Sequence, residues 1–145
     1  MNDKEISGRC LCGTVRYRLA SVPFDAGWCH CRTCQLNSGS PAMAFASVPA
    51  CDYLVEAGTE AIGTVASSRF GHRAFCRECG TPLYMRADDQ PGTIDFSLAT
   101  LDAPDRVEPG FHIFYESRIA WAEAGDGLPR YARSRSEGAE ITNGS

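Results

Sequence analysis

Seven of the eight cysteines in this 145-residue chain fall into three tight groups. Cys10 and Cys12 lie in "CLCG", Cys29, Cys31 and Cys34 in "CHCRTC", and Cys76 and Cys79 in "CRECG", with Cys51 alone. Thiols this close together either pair as disulfides or gather on a metal, and the compartment decides which. The opening "MNDKEISGRC" is polar and charged, with no apolar segment and no small-residue cleavage site, so a cytoplasmic, reducing location is expected. Metal is then the expected use of the thiols.

Two of the groups end in Cys-Gly. Glycine permits a left-handed turn and close backbone approach, so amide groups can point at the sulfurs. Cys10, Cys12, Cys76 and Cys79 therefore read as two knuckles facing each other around one tetrahedral Zn²⁺, with Zn–S bonds of about 2.3 Å. Such a site is closed, and its expected task is structural: tying strands 64 residues apart, from Cys12 to Cys76, into one sheet. Its binding energy would be part of the folding energy. The bland reading, four small buried hydrophobes, does not explain the repeated ending.

The triplet Cys29, Cys31 and Cys34 is one ligand short of a closed site. Three protein ligands with an open fourth position is the pattern of catalytic zinc. In a soft all-sulfur environment the open position suits water or an incoming thiol. Zinc lowers a bound thiol's pKa from its free value of about 8.5, giving a thiolate able to attack a small carbonyl compound. Two alternatives stay open. Cys51 could close the site as a fourth ligand, or the triplet could be a reactive thiol cluster without metal.

Other candidates carry less. His30 sits between two ligands and reads as a packing residue, and His72 and His112 as surface or satisfied core residues. Ser38, Gly39 and Ser40 are placed to line the open side of the triplet, and a plain helix stop explains them equally well. Phe45, Phe70, Phe75, Phe96, Phe114 and Trp121 read as core.

The rest of the sequence reads as short strands. "TVRYRL" alternates Val15, Tyr17 and Leu19 with Arg16 and Arg18, the period of a half-buried strand. Further strands are expected over 42–48, 53–57, 67–76, 82–87, 93–101 and 111–116, with 67–76 and 82–87 forming a hairpin around the third cysteine group. Fourteen glycines and eight prolines punctuate these runs, at the short spacing of all-β domains. One short helical turn is expected from Arg32 to Ser38, stopped by Gly39 with Pro41 beyond. The length and the 43% hydrophobic content suit one domain over residues 1–133. The polar tail 134–145 is expected to be disordered.

The balance of 14 basic against 18 acidic residues, net charge −4, speaks against a nucleic-acid partner. No run approaches the roughly 18–20 apolar residues of a membrane span.

With these pieces in place, "GRCLCGTVRY", "CHCRTCQLNSGSP", "FCRECGTPLY" and "FHIFYESRIAWAEAGDGLPRY" together resemble the glutathione-dependent formaldehyde-activating enzyme family, which includes centromere-protein-V-like proteins. The resemblance runs from about Ile6 to Tyr131. It implies an all-β, β-tent fold of small antiparallel sheets joined by a structural zinc on Cys10, Cys12, Cys76 and Cys79, with a catalytic zinc on Cys29, Cys31 and Cys34. It also implies a carbon–sulfur lyase-type activity, addition of glutathione to formaldehyde to give S-hydroxymethylglutathione. Arg32, Arg69 and Arg73 are candidates to pair with glutathione's carboxylates, and Cys51, outside the motif, reads as an ordinary buried thiol.

Two other enzyme classes fit poorly. Methionine-R-sulfoxide reductases share the tent-like fold but use a late nucleophilic cysteine, and no cysteine follows Cys79. A thioredoxin-type use of Cys76 and Cys79 needs a βαβ setting. The remaining rival is a non-catalytic zinc module that recognises a protein or ligand.

Overall fold

Hydrophobic alternation decides which face of a strand is buried, and the segment Arg16–Leu19 follows it, with Tyr17 and Leu19 buried. The computed structural model describes residues 5–136 and, as backbone, 140–141. Its strands are β1 (Ile6–Arg9), β2 (Arg16–Leu19), β3 (Phe24–Cys29), β4 (Met43–Pro49), β5 (Tyr53–Ala57), β6 (Ile62–Ala66), β7 (Gly71–Cys76), β8 (Pro82–Ala87), β9 (Thr93–Ser97), β10 (His112–Ile113), β11 (Arg130–Tyr131) and β12 (Glu140–Ile141). The one α-helix among the described residues, α1, spans Arg32–Ser38. The chain is thus mostly β, as its punctuation predicts.

Among the described residues the strands form a three-stranded sheet, β1-β2-β5, and a nine-stranded sheet, β12-β11-β10-β3-β4-β9-β8-β7-β6. Most pairs are antiparallel, but β10 runs parallel to both β3 and β11, a departure from the purely antiparallel expectation. The main core lies between the two sheets. Tyr17 and Leu19 of β2 and Tyr53 of β5 meet Ala46 and Val48 of β4 and Ile94 and Phe96 of β9. Tyr17 stacks on Tyr53 with ring centroids 4.4 Å apart.

Alternation leaves the opposite face of the large sheet to a different set. Ser47 of β4 pairs with Asp95 of β9, Asp95 with Met85 of β8, and Met85 with Arg73 of β7. Cross-strand partners project to the same face. One transverse row therefore runs Ser47, Asp95, Met85, Arg73, on the side away from the main core.

Several expectations are corrected here. The segment 111–116 pairs as a strand only at His112–Ile113, because Phe114 turns left-handed at φ 53° and a 3₁₀ turn follows. The run 93–101 leaves the sheet after Ser97 for a 3₁₀ turn, and 67–70 forms the turn before β7. Of the aromatics expected in the core, Phe96 is fully buried, whereas Phe70 and Trp121 are exposed. Within the tail, Glu140–Ile141 pairs with β11, while 137–139 and 142–145 lie outside the described residues.

Candidate functional site

The fold gathers the cysteines into two clusters, Cys10, Cys12, Cys76 and Cys79 in one and Cys29, Cys31 and Cys34 in the other. In each, the sulfurs all lie within 4.8 Å of one another. Cys51 joins neither. It is exposed, with its thiol 3.7 Å from Asp52 Oδ1, so both its expected roles, fourth ligand and buried thiol, are corrected.

The four-cysteine cluster sits between the sheets. Cys10 and Cys12 follow β1, Cys76 ends β7 of the large sheet, and Cys79 lies in the turn to β8. The cluster therefore bridges two sheets rather than tying strands into one. Cys10 and Cys76 are fully buried in a second small core with Val15, Ala61, Ala74 and Leu83. The glycines do what their position demands: Gly13 has φ +79° and Gly80 φ +85°.

A hydroxyl completes each turn. Thr14 Oγ1 lies 3.2 Å from Cys12 Sγ, and Thr81 Oγ1 lies 3.2 Å from Cys79 Sγ. These contacts lead in drawing both thiols down, Cys79 to about 5. Leu11 N–H of the first knuckle also donates to Thr81 Oγ1 at 3.0 Å. The recurring signal in the sequence is thus Cys-Gly-Thr, one residue longer than the Cys-Gly that the spacing argument used.

The donor set fits a tetrahedral thiolate-binding ion. Sulfurs around zinc, with bonds of about 2.3 Å, stand roughly 3.8 Å apart. Cys10 and Cys12 are 3.5 Å apart, and Cys12 and Cys76 are 3.9 Å apart.

The three-cysteine cluster is built at the junction of β3 and α1. Cys29 ends β3, Cys31 is the N-cap of α1, and Cys34 lies in its first turn. The Cys34 N–H donates to Cys31 Sγ at 3.3 Å. At the other end of α1, Gly39 adopts φ 69° and its N–H donates to Gln35 O at 2.8 Å, the left-handed stop the sequence predicts. The buried Gln35 side chain donates to His30 O and to Ser117 O, at 2.8 and 3.1 Å. These bonds pin the loop that carries the thiols.

Electrostatics differentiate the three sulfurs. Hydrogen bonds from Cys29 and Cys34 lead in holding Cys31 far down, to about 2, with Arg73 adding to the pull. The same sharing pushes Cys29 up. Arg73 of β7 is buried, and its Nη2 donates to Cys34 Sγ at 3.3 Å. It is the one of the three candidate arginines that reaches the cluster. Arg32 bonds Gln35 Oε1 at 3.0 Å, and Arg69 stands over the Phe70 ring.

A cavity of about 340 Å³ opens on the three thiols. The large sheet contributes Met43, Phe45, Arg73, Met85, Asp95 and Ser97, α1 contributes Thr33 and Asn37, and Ile113 and Phe114 close a further side. Ser38, Gly39 and Ser40 are not part of this lining, because the Ser38 hydroxyl turns back to Cys34 O at 2.7 Å. Phe114 holds its left-handed backbone at the cavity wall, where such strain is characteristic of functional sites.

Behind the cysteine loop, His30 Nε2 lies 2.8 Å from His112 Nδ1, and His112 Nε2 lies 3.0 Å from Asp126. Burial leads in lowering the His30 pKa to about 4, so this imidazole is neutral at neutral pH. It packs edge-on to Tyr115, the packing role expected of it.

A mostly β protein carrying one thiol cluster between sheets and a second open to a cavity is the class that fold and site define. Residues 5–117 match the family model described as glutathione-dependent formaldehyde-activating enzyme, and the chain belongs to that family. It is 36% identical over 80 residues to an uncharacterized lyase of Schizosaccharomyces pombe, a match covering 55% of this chain and 56% of that protein. It is 26% identical over 129 residues to a provisionally named glutathione-dependent formaldehyde-activating enzyme of Halomonas elongata, covering 81% and 80% of the two chains. A crystal structure of a Rhodobacter sphaeroides protein shares the fold with a TM-score of 0.58 and 25% identity, over 71% of this chain and 96% of that one. No helix among the described residues is long and apolar enough to cross a membrane.

Proposed function

We propose that this protein is a zinc-dependent enzyme of carbon–sulfur lyase type that joins a small thiol to an aldehyde, with glutathione and formaldehyde as the pair that the family description and the Halomonas relative's name support. The observation that carries the reading is the contrast between the two clusters. One has four sulfurs between sheets, and the other has three sulfurs facing a cavity.

Cys10, Cys12, Cys76 and Cys79 would hold a structural zinc, and Cys29, Cys31 and Cys34 a catalytic one. When bound at the second cluster, zinc supplies Lewis-acid chemistry that acidifies a thiol and polarises a carbonyl oxygen. The chain itself does the positioning. Arg73 balances the charge collected on Cys34, which a cluster of thiolates needs in a partly buried site. Met43, Phe45, Met85 and Phe114 make apolar walls that limit water around the reacting atoms. Thr33 and Asn37 offer hydrogen-bonding groups at the helix side of the cavity to a polar thiol such as glutathione.

The test is metal quantification of the purified protein, coupled to the rate of thiol–formaldehyde adduct formation. The expected result is one firmly held zinc and a second whose retention responds to added thiol, with adduct formation accelerated only when both are present. A protein that holds zinc and neither binds thiol nor accelerates the reaction would instead be a binding module.

A further inference from the structure

One carboxylate stands on the cavity wall where packing does not ask for it. Asp95 lies mid-strand in β9, a setting in which aspartate is disfavoured. Its row partner Met85 is an apolar residue on the same face. Asp95 Oδ1 accepts a 2.6 Å hydrogen bond from Ser47 Oγ, and among the described residues no protein donor is bonded to Oδ2. The side chain is partly buried rather than sealed, and it lines the same cavity as the three thiols. Arg73 does not neutralise it by contact. Met85 lies between the two in the row, and the Arg73 Nη2 is committed to Cys34.

We propose that Asp95 is the proton-transfer group of this site, taking the proton of the incoming thiol and delivering it to the aldehyde oxygen. The proposal rests on the thiol–aldehyde reading above. A sulfur–carbon bond forms as the carbonyl π bond opens and its electron pair moves to oxygen. The proton leaves sulfur for the free Asp95 oxygen and then passes to the new alkoxide, so the carboxylate is regenerated and no other reactant is needed. The release direction runs the same transfers in reverse.

Other groups in the cavity serve this less well. Thr33 and Ser97 have hydroxyls that are poor acids and bases near neutrality, and the Arg73 guanidinium offers donors but no acceptor. Asp95 is the one carboxyl group among the lining residues, and the histidine pair lies behind the loop rather than in the lining. Burial leads in holding the Asp95 carboxyl above its ordinary 3.8, with Asp25 pushing the same way and Ser47 and Arg73 pulling it down. A carboxyl tuned upward is better matched to proton transfer near neutral pH.

The experiment compares the zinc-loaded wild type with Asp95→Asn and Asp95→Glu. Adduct formation and release are followed by NMR exchange at several pH values, and thiol binding is followed by calorimetry. The titratable and charged groups around Asp95 are Arg73 on β7, Tyr84 on β8, Asp25 on β3 and the cysteine triad, all of which remain in every variant. Asp95→Asn is expected to slow exchange by roughly 10²-fold or more and to flatten the acidic limb of the pH profile, with thiol affinity unchanged. Asp95→Glu should recover part of the rate. A wild-type rate and pH profile in Asp95→Asn would overturn the proposal, as would a loss of thiol affinity matching the loss of rate. A wild type that binds no thiol brings down the functional reading, and the proposal with it. If Asp95→Asn does not fold, Ser47→Ala decides: losing that hydrogen bond should move the acidic limb to higher pH, and an unmoved limb refutes the role.

Discussion

Burial makes the Asp95 carboxyl harder to ionise in the folded protein than in the unfolded chain, and that has a consequence for stability. Above the ordinary value of 3.8, and up to the raised folded value, the native state binds more protons than the unfolded state. Stability therefore falls as pH rises through that window, and the deficit persists at neutral pH. Asparagine keeps the shape and the acceptor for Ser47 without an ionisable group. Asp95→Asn should accordingly melt higher than wild type at neutral pH, with the advantage disappearing once the pH falls below 3.8. Thermal unfolding across pH tests this, and an equal difference at every pH would mean that ionisation is not the source. The grouping of seven cysteines into two clusters was legible in the sequence because spacing and turn chemistry are local. Asp95, Thr33 and Asn37 were not, because the cavity that gives them meaning is assembled from six strands and a helix. Thr14 and Thr81 could have been found, since each follows a Cys-Gly pair.

At the scale of elements, the knuckle turns show how far local chemistry reaches. A Cβ at Gly80 would meet nothing within 4 Å, yet φ there is +85°. The cost of a side chain is then conformational rather than steric. Gly80→Ala should destabilise by about 1–2 kcal/mol, and Gly80→Asn by less, because asparagine tolerates the left-handed region. Chemical denaturation of the zinc-loaded protein measures both, and a neutral alanine variant would show that the left-handed turn is not what requires glycine. The same local logic made α1 readable to the residue, with Gly39 as its stop. It failed at β10, where the hydrophobic run 111–116 continues but Phe114 turns left-handed under tertiary constraint. It failed also at β3, whose pairing with β4 is interrupted between Phe24 and Gly27, beside the left-handed Asp25. Binary patterning carries no information about such single-residue reversals. The buried face of β2 was legible because Tyr17 and Leu19 alternate with Arg16 and Arg18 without interruption.

Across the whole molecule, the two clusters occupy mechanically different places. The four-cysteine cluster lies where two sheets meet and shares its small core with Val15 and Leu83. A metal bound there would close the chain from Cys12 to Cys79, so its free energy would belong to folding, on the order of 10 kcal/mol in zinc-finger peptides. The three-cysteine cluster lies between the end of one strand and a seven-residue helix, and Gln35 secures that loop independently. Serine substitutions separate these roles cleanly. Serine is a preferred N-cap, so Cys31→Ser retains an acceptor for the Cys34 N–H and carries no local folding penalty. It should leave the cooperative melt near that of wild type while abolishing thiol binding and adduct formation. Cys79→Ser keeps the Thr81 contact but removes a thiolate from between the sheets, and should lose cooperative unfolding or melt far lower. Calorimetry and zinc content on both variants give the answer. Equal losses of stability would mean that the two clusters do not divide structure from chemistry.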